Sequence, residues 1–538
     1  MSLLQAAEHN GPLPRERTFY ESLKNVLRGD IPLRPVVAVI AVLTGTMMTS
    51  WHTRLFSMAL MDLRGVWGLG GDEASILSTV ANALQLMVAP AIPMAVVIFG
   101  PRKVLLWPGL IFAAVCICIP MVQDQRSLLL LNGIAAVTLG CFVPATLTTI
   151  FRSLAPKYWL VAVAFYTARL TVSLHSGVTM ADFYVENLGW QFIYWQSAVS
   201  SILLVMLVLF SIPEQKFNAE AFKGMDRIGA ILMCTALTLV FAGLDQGNRL
   251  NWFDSWIIIG LIGGGIFLFG VFLLWQLVVP NPFAHPRVVA HANVIAPMTL
   301  GIFYSLVSFG SAYLIPNFLG TVGHLKGIQS GQFLWIIVAA QVVLLPASVW
   351  LIRRMEARLV LAFAVACMMV GCFMGTFITH EWVARDFLSI VFCFSLGTSF
   401  GFLAVMAISV GNGNPKEIVS VLAYVQIPRV VGPTFASAVL ATLLTKREAM
   451  HAAWLSHYID PGREIVREAL TGGLSTISSV VSREAYVLAF RDAYTFCFWA
   501  GFGALLLILL MKHSPPNPMT PSGYILPATP EHTERSKP

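Results

Sequence analysis

The chain has 538 residues, of which 57% are hydrophobic and only 11% are charged. Soluble domains carry charge on about a quarter of their residues, so this composition excludes an ordinary soluble protein. The net charge of +7 does not indicate a nucleic-acid partner, because the basic residues form no patch interleaved with aromatic side chains. They stand between apolar runs, where the positive-inside rule explains them. We therefore expect most of the chain to lie in lipid.

About fourteen apolar runs are long enough to cross a bilayer. A spanning helix needs about 20 mostly apolar residues, because lipid cannot satisfy exposed backbone groups. The runs lie near 36–61, 75–99, 104–122, 127–150, 159–184, 193–212, 228–244, 255–279, 293–318, 331–352, 358–378, 387–410, 418–444 and 489–511. The first run begins near Pro35 and is too long for the apolar part of a cleavable signal, so we expect it to remain as a span.

Lysine and arginine are distributed unevenly among the segments between the runs. With the N-terminus inside, about 20 of them lie in cytoplasmic segments, against roughly five in the short outer loops. This asymmetry predicts that both termini are cytoplasmic, and an even number of spans agrees with it. The eight cysteines all lie within apolar runs, which favours packing between helices over disulfides or a metal site.

Three short motifs stand at the ends of predicted spans. The second span is followed by a tight basic turn that contains Gly100, Arg102 and Lys103. Residues 225–230 read MDRIGA, and residues 244–247 read LDQG at the other end of the same span. Residues 188–194 read LGWQFIY at the start of the sixth span. Positive-inside sorting alone explains a basic turn equally well, so the other two motifs are the more specific signals.

Together with the number of spans, these motifs resemble the major facilitator superfamily, and within it the fourteen-helix drug:proton antiporters of the EmrB/QacA type. The resemblance implies an all-α membrane protein with the major facilitator fold, in which two pseudo-symmetric six-helix halves flank an inserted helix pair. It also implies a secondary transporter that exports small-molecule substrates across the bacterial inner membrane, coupled to protons and without a cofactor. Some relatives pass their substrate to a periplasmic adaptor and an outer-membrane channel, so these are candidate partners.

The resemblance and the spans together divide the chain into five parts. These are a cytoplasmic leader at 1–34, an N-terminal six-helix half at 35–212, a linker with the inserted helix pair at 213–279, a C-terminal six-helix half at 280–512 and a disordered cytoplasmic tail at 513–538. Within the second half, apolar residues recur at helical spacing in a loop at 445–488. This pattern predicts short amphipathic helices at the outer surface, broken at Pro461 and Gly462.

Several positions depart from the family pattern. The first helix of this family normally carries an acid for proton coupling or cation recognition, where this chain has His52, with Arg54 two residues later. Helix four normally carries an arginine at the position of Leu129. The antiporter pattern G-P-x-x-G-G of helix five keeps only its first glycine, Gly177. The family's usual proton-coupling residues therefore do not carry over to this chain.

Three arginines fall inside predicted spans: Arg54, Arg169 and Arg429. A charge in lipid is costly, so each should face a cavity or a partner. The resemblance makes helices five and thirteen equivalent, which would place Arg169 and Arg429 on opposite walls of one pathway. We expect such a cavity to prefer anionic or neutral substrates, such as weak aromatic acids, over lipophilic cations. Alternatively, Arg169 bonds a helix-end carbonyl or Asp182, and Arg429 is structural.

Proton coupling requires a group that titrates near neutral pH. His52, His175 and Asp182 are the candidates, and hydrogen-bonded packing is the alternative for each. Polar residues on other helices are candidates to line the cavity, although they are more often helix–helix contacts. They are Asn82, Gln85, Tyr304, Ser308, Asn317, Ser395 and Thr398.

Two other classes of protein compete with a transporter of organic anions. A membrane-embedded enzyme would need a nucleophile, base or metal set, and the sequence contains no H-E-x-x-H, G-x-S-x-G or P-loop motif. A transporter that has become a receptor or scaffold fits the altered motifs and stays open, as does an exporter of lipophilic cations.

Overall fold

The protein is described by a computed structural model over residues 33–153, 158–287, 292–411, 418–459 and 474–511. Most of the leader and the whole tail lie outside these ranges, as do Pro461 and Gly462. Within them, fourteen long helices follow one another. They are α1 (Val36–Trp67), α2 (Gly71–Phe99), α3 (Pro101–Met121), α4 (Gln125–Phe151), α5 (Trp159–Phe183), α6 (Phe192–Ser211), α7 (Arg227–Gly247), α8 (Trp256–Val278), α9 (Ile295–Thr321), α10 (Gly327–Arg354), α11 (Ala357–Gly375), α12 (Leu388–Ser409), α13 (Val419–Ser456) and α14 (Ile477–Leu510).

Helix α5 differs from the other thirteen, each of which is long and apolar enough to cross a membrane. It has 25 residues, sufficient for a span, but polar side chains such as Arg169, His175 and Asp182 lower its mean hydropathy. Most of its side chains are buried against other helices. A helix shielded from lipid can carry charge that a lipid-facing helix cannot. The all-α membrane fold expected from the sequence is confirmed.

The two halves repeat one packing pattern. Helix α1 packs against α4, α5 and α6, and α9 packs in the same way against α12, α13 and α14. Likewise α2 contacts α4 and α3 contacts α6, as α10 contacts α12 and α11 contacts α14. An offset of eight helices therefore relates the six-helix halves α1–α6 and α9–α14, and it makes α5 and α13 equivalent.

Two pairs of contacts join the halves. Helix α5 packs against α10 and α12, while residues 418–426 of α13 contact α2 and α4. The side of the membrane on which α1 begins is here called the near side, and the opposite side the far side. Because successive spans alternate in direction, the end of α5 meets the start of α10 on the far side, and the start of α13 meets the end of α2 on the near side.

The family-type basic turn connects α2 to α3 on the near side. Gly100 has φ of 83°, in the region that favours glycine, and Pro101 follows at the first position of α3. Lys103 Nζ lies 3.1 Å from Glu214 Oε1 in the linker after α6, and half-buried Arg102 lies on the same turn. The turn thus holds the linker that leads to the inserted helices.

The inserted pair, α7 and α8, is joined at its near-side ends by one carboxylate. Asp226 precedes α7 and accepts hydrogen bonds from Gly229 N (2.8 Å), Trp275 Nε1 (3.0 Å) and Gln276 Nε2 (2.6 Å). The first bond caps the helix N-terminus, while the other two come from the end of α8. The D-x-x-G segment therefore closes the hairpin.

Replacing Asp226 by Ala is expected to cost about 2 kcal/mol of stability, because it removes the cap and leaves the buried Gln276 and the partly buried Trp275 without an acceptor. The midpoint of thermal unfolding in detergent should fall by several degrees. Asp254→Ala, at an exposed position of the α7–α8 loop, is the matched control and should leave the midpoint unchanged. Equal unfolding midpoints for the two variants would show that Asp226 does not stabilise the inserted helix pair.

On the far side the inserted pair is bonded to α2. Gln246 Nε2 donates to Ser75 Oγ (3.0 Å) and to Thr79 Oγ1, and Arg249 Nη1 lies 2.6 Å from Asp72 Oδ1. Helix α7 also contacts α13, whereas α8 is the least buried of the thirteen apolar spans. The D-Q-G segment therefore attaches the insert to the N-terminal half, in the groove between α2 and α13.

The last two spans extend well past the membrane. The last part of α13 is the helix Gly432–Ser456, and α14 is part of a helix of 37 residues, Leu474–Leu510. That helix is about 55 Å long, whereas the hydrocarbon layer is about 30 Å thick. The separate short helices predicted within 445–488 are therefore wrong where the structure describes this segment. Its apolar spacing belongs to continuations of α13 and α14, and His451 Nε2 lies 2.9 Å from Asp492 Oδ2 between them.

Candidate substrate site

The first buried arginine reaches from α5 to α1 near the middle of the membrane. Arg169 is only 6% exposed, and its Nη1 donates to Ser50 Oγ and, at 3.5 Å, to Thr46 O. Its guanidinium carbon lies 4.5 Å from the centre of the Tyr166 ring. Of the two structural partners considered for Arg169, a backbone carbonyl is present, although Thr46 lies within α1 and not at a helix end. The other, Asp182, lies elsewhere in the structure.

The second arginine stands on an irregular turn of α13. Residues Ile427–Val431 form a π-helical segment around Pro428, and such segments recur at functional sites. Arg429 Nε donates to Gln426 Oε1 at 2.7 Å, and Gln426 Nε2 donates to Leu422 O at 3.0 Å. Gln426 is fully buried, so it fixes the direction of the Arg429 side chain.

These groups from opposite halves lie within electrostatic range of one another, since Arg429 interacts with both Arg169 and Tyr166. Among the described residues, no carboxylate lies within 4 Å of either guanidinium, and Arg169 Nε and Tyr166 Oη are buried without a hydrogen-bond partner. Buried donors without acceptors are costly and rare in folded proteins. The junction is therefore a donor-rich, positively charged site that an anion would complete.

The third arginine lies one to two turns further along α1, toward the far side. The stem of Arg54 packs against Gly177 of α5, at a distance that leaves no room for a side chain there. Arg54 Nη2 donates to Ala312 O in the other half at 3.4 Å, and its buried Nε has no hydrogen-bond partner in the described part of the chain. Gly177, the one glycine of the antiporter pattern that this chain keeps, thus makes room for Arg54.

A histidine also bridges the halves at this level. His175 Nδ1 lies 2.9 Å from Thr171 O, and His175 Nε2 lies 3.2 Å from Ser311 Oγ. A carbonyl can only accept, so Nδ1 carries the hydrogen and Nε2 is the titrating atom. Ser311 is also 3.1 Å from Ser308 O. Its hydroxyl can therefore donate to neutral His175, or turn toward Ser308 and accept from charged His175.

His52 lies away from this junction. His52 Nδ1 is 2.9 Å from Ser197 Oγ of α6, and the imidazole makes edge contacts with Phe112 and Tyr194 at centroid distances of 5.3 and 5.6 Å. These contacts pack it among α1, α3 and α6, within one half. The packing role considered for His52 accounts for its position.

Asn82 and Gln85 share a small cavity with His52. The cavity lies among α1, α2 and α4 and holds about 20 Å³, enough for about one water molecule. Asn82 Nδ2 donates to Ser78 O at 3.0 Å, and Gln85 Oε1 accepts from Thr53 Oγ1 at 3.2 Å. Both predicted cavity residues therefore belong to a pocket inside the N-terminal half, separate from the arginine junction.

Asp182 stands where α5 meets α10 on the far side. Asp182 Oδ2 accepts a hydrogen bond from Ile328 N at 2.8 Å, in the first turn of α10. Gly331 lies directly against Thr179, one turn before Asp182. Asp182 thus caps a helix of the opposite half and joins the two halves, which is a different environment from a carboxylate in an open cavity.

An ion pair continues this far-side contact. Lys326 Nζ lies 2.7 Å from Glu186 Oε1, and this carboxylate raises the pKa of Lys326. Lysine already titrates well above neutral pH, so the pair persists through the physiological range. Together with the bonds of Arg54, His175 and Asp182, it holds the far side closed in this structure.

The remaining cavity candidates bond within their own helices. Ser308, Asn317, Ser395 and Thr398 donate to carbonyls three or four residues earlier in α9 or α12. Tyr304 is buried and stacks on Phe402 at a centroid distance of 6.2 Å. Their observed contacts are those of helix packing, and their role toward substrate stays a prediction.

Four residues that contact the candidate site residues were not foreseen: Ser50, Tyr166, Gln426 and Ser311. One signal was available, because Tyr166 and Gln426 each stand three residues before a membrane arginine, in equivalent helices. Residues three apart share a helix face. Comparison of α5 with α13 would therefore have found a polar residue beside each arginine.

Comparison with known proteins gives the family. The family model of the Major Facilitator Superfamily matches residues 39–437. The multidrug export protein EmrB of Escherichia coli K12 is 21% identical over 491 residues, which cover 88% of this chain and 94% of the relative. The fatty acid resistance protein FarB of Neisseria gonorrhoeae is 20% identical over 419 residues, or 75% and 80% of the two chains.

A solved structure supports the fold at lower sequence similarity. The human organic anion transporter MFSD10 superposes with a TM-score of 0.52 at 12% identity, covering 88% of this chain and all of that one. At this identity the likeness concerns the fold alone. With a family match over most of its length and the repeated six-helix halves, the chain belongs to the Major Facilitator Superfamily.

Proposed function

We propose that this protein exports small organic anions across the bacterial inner membrane, in exchange for protons. The observation that carries the proposal is the pair Arg169 and Arg429, which lie within electrostatic range of each other between the halves and have no described carboxylate partner. A substrate carboxylate would accept from both guanidinium forks and from Tyr166 Oη. The site lies near the middle of the spans, where transporters that rock two halves bind their substrates.

The relatives support the direction and the class of substrate. EmrB is named a multidrug export protein, and FarB is named a fatty acid resistance protein. A fatty acid is a carboxylate attached to an apolar chain, which suits an arginine pair inside apolar helices. A lipophilic cation would instead meet two fixed positive charges at low dielectric.

His175 is the proposed proton-exchanging group. Its Nε2 faces Ser311 of the opposite half, and the serine can reverse its hydrogen bond when the imidazole gains a proton. Charged His175 would also repel Arg54, with which it interacts electrostatically. Loss of the proton would therefore be favoured while the far side is closed, so His175 would take up a proton when the far side is open and release it toward the near side, as exchange for an exported substrate requires.

The orientation follows from the distribution of lysine and arginine. Both termini, and so the near side, are proposed to be cytoplasmic, which makes the far side periplasmic. The helical extensions of α13 and α14 would then stand in the periplasm. A periplasmic adaptor and an outer-membrane channel stay predicted partners, and these extensions are the expected contact surface.

A flux measurement tests the proposal. Proteoliposomes that enclose a pH-sensitive dye receive an aromatic sulfonate, whose permanent charge prevents passive entry, or a lipophilic cation. We expect counterflow of protons with the sulfonate alone, above the level of protein-free vesicles. Proton movement with the cation alone would contradict the substrate class and favour a cation exporter. Binding of the anion without movement of anion or proton would indicate a receptor.

A further inference from the structure

The loop between α7 and α8 holds a tryptophan in an unusual conformation. Asn251 and Trp252 have φ of 56° and 53°, a region that residues other than glycine rarely adopt. The indole lies on Gly247, where an added Cβ would come within 2.9 Å of ring carbons. Trp252 Nε1 donates to Thr442 Oγ1 of α13 at 2.8 Å. The indole is thus fixed between the inserted pair and the C-terminal half.

Trp252 forms one wall of a groove of about 380 Å³ on the far side. The other wall is a stripe of α13 that carries Val439, Leu443, Lys446 and Met450 on successive turns. The groove is therefore apolar along the helix and basic toward its outer end. An acyl chain would bury its methylenes against the stripe, at a gain that grows with the area covered.

The charge at the groove comes mainly from Lys446. Its side chain is exposed, and no carboxylate of the described residues lies within 4 Å of its ammonium. The neighbouring Arg447 is partly neutralised, because its Nη1 lies 3.5 Å from Asp492 Oδ2. A lysine without a carboxylate partner among the described residues, at the rim of an apolar groove, complements a ligand with an anionic head and an apolar tail.

The depth of the groove matches the membrane surface. Phe253 and Trp256 follow Trp252 and are 68% and 80% exposed. Exposed aromatic side chains at the end of a span mark the level of the lipid headgroups. Lys446, across from this aromatic cluster, would therefore meet phosphate, while Val439 lies about two helical turns deeper.

We infer that this groove binds an anionic phospholipid of the far leaflet. Its phosphate is held by Lys446, its acyl chain lies between Trp252 and the apolar stripe of α13, and the lipid joins the inserted pair to the helix that carries Arg429. The site is separate from the arginine junction, so it does not depend on the class of substrate transported.

Native mass spectrometry of the full-length protein provides the test. Phosphatidylglycerol and phosphatidylcholine with identical acyl chains are titrated in separate runs, and retained lipid is counted. We expect tighter binding of phosphatidylglycerol and a higher thermal unfolding midpoint in its presence. Lys446→Gln should weaken phosphatidylglycerol binding about fivefold, the change expected for one cation near a membrane surface. The matched control is Arg385→Gln, an exposed far-side arginine outside the groove, and it should change nothing.

Three results would overturn the inference. Equal retention of the two lipids would contradict a preference for the anionic lipid. Equal losses of phosphatidylglycerol binding in the Lys446 and Arg385 variants would assign the preference to general surface charge. Displacement of phosphatidylglycerol by the transported sulfonate, at the concentration that supports flux, would make the groove a substrate site. Because binding is measured without transport, failure of the proposed export function leaves this test intact.

Discussion

Replacing Arg169 by Gln is expected to reduce transport of an organic anion about thirtyfold. The variant removes a charge that faces Arg429 across the junction, together with charge-assisted bonds to the substrate worth about 2 kcal/mol. Arg429→Gln should act in the same direction, because the two side chains come from equivalent helices and share one anion. The effect should appear in the affinity for the anion as well as in the rate of flux in proteoliposomes.

Two controls separate recognition from folding. Arg169→Lys keeps the positive charge but loses the fork, and we expect it to retain part of the flux. Arg126→Gln changes an exposed arginine at the start of α4 and should leave the flux unchanged. Full transport by a folded Arg169→Gln protein, with a normal unfolding midpoint, would assign this arginine to helix packing with Ser50 and Thr46.

Gly331→Val is expected to reduce transport at least tenfold while the protein still folds. A side chain at this position would overlap Thr179 where α10 meets α5, so the two halves could not close on the far side. A transporter that works by rocking its halves needs this closure in every cycle. Flux should fall at least tenfold, about the effect of losing one step worth 1.4 kcal/mol or more.

The position of the halves can be followed directly. A protein with Glu186→Cys and Lys326→Cys in a background without native cysteines should be joined readily by a short bifunctional thiol reagent, since the native side chains reach each other in an ion pair. Adding Gly331→Val should slow that cross-link. Gly264→Val, on α8 with open space around it, is the matched control. Unimpaired cross-linking and flux in the Gly331 variant would show that the α5–α10 contact is not part of the cycle.

The sequence was sufficient for the architecture because lipid leaves little choice. Runs of about 20 apolar residues must be helices, and the D-x-x-G and D-Q-G segments marked the two ends of the inserted span. The placement of Arg169 and Arg429 in equivalent helices was also available, and the repeated packing of the halves agrees with it. The length of α13 could not be predicted from the sequence, since apolar residues recur at the same spacing in a separate surface helix and in the continuation of a span.

The rotation of side chains around each helix could not be predicted. Helices α9 and α13 contain π-helical segments at Gly310–Leu314 and Ile427–Val431, and each shifts the following residues relative to a regular helix. Small polar residues such as Ser50 and Ser311 are common in membrane helices and carry no signal of their own. His52 shows the same difficulty, because it occupies the position of the family's acid but faces α6.

The attachment of the inserted pair has a mechanical consequence. Its bonds to α2 include the Gln246 contacts and the ion pair of Arg249 with Asp72, whereas Trp252 to Thr442 is the one side-chain hydrogen bond between the insert and α13 among the described residues. When the halves rock, α2 and α13 change their separation on the far side, so the weaker attachment yields first. The inserted helix pair therefore moves together with the N-terminal half, and α13 slides along it.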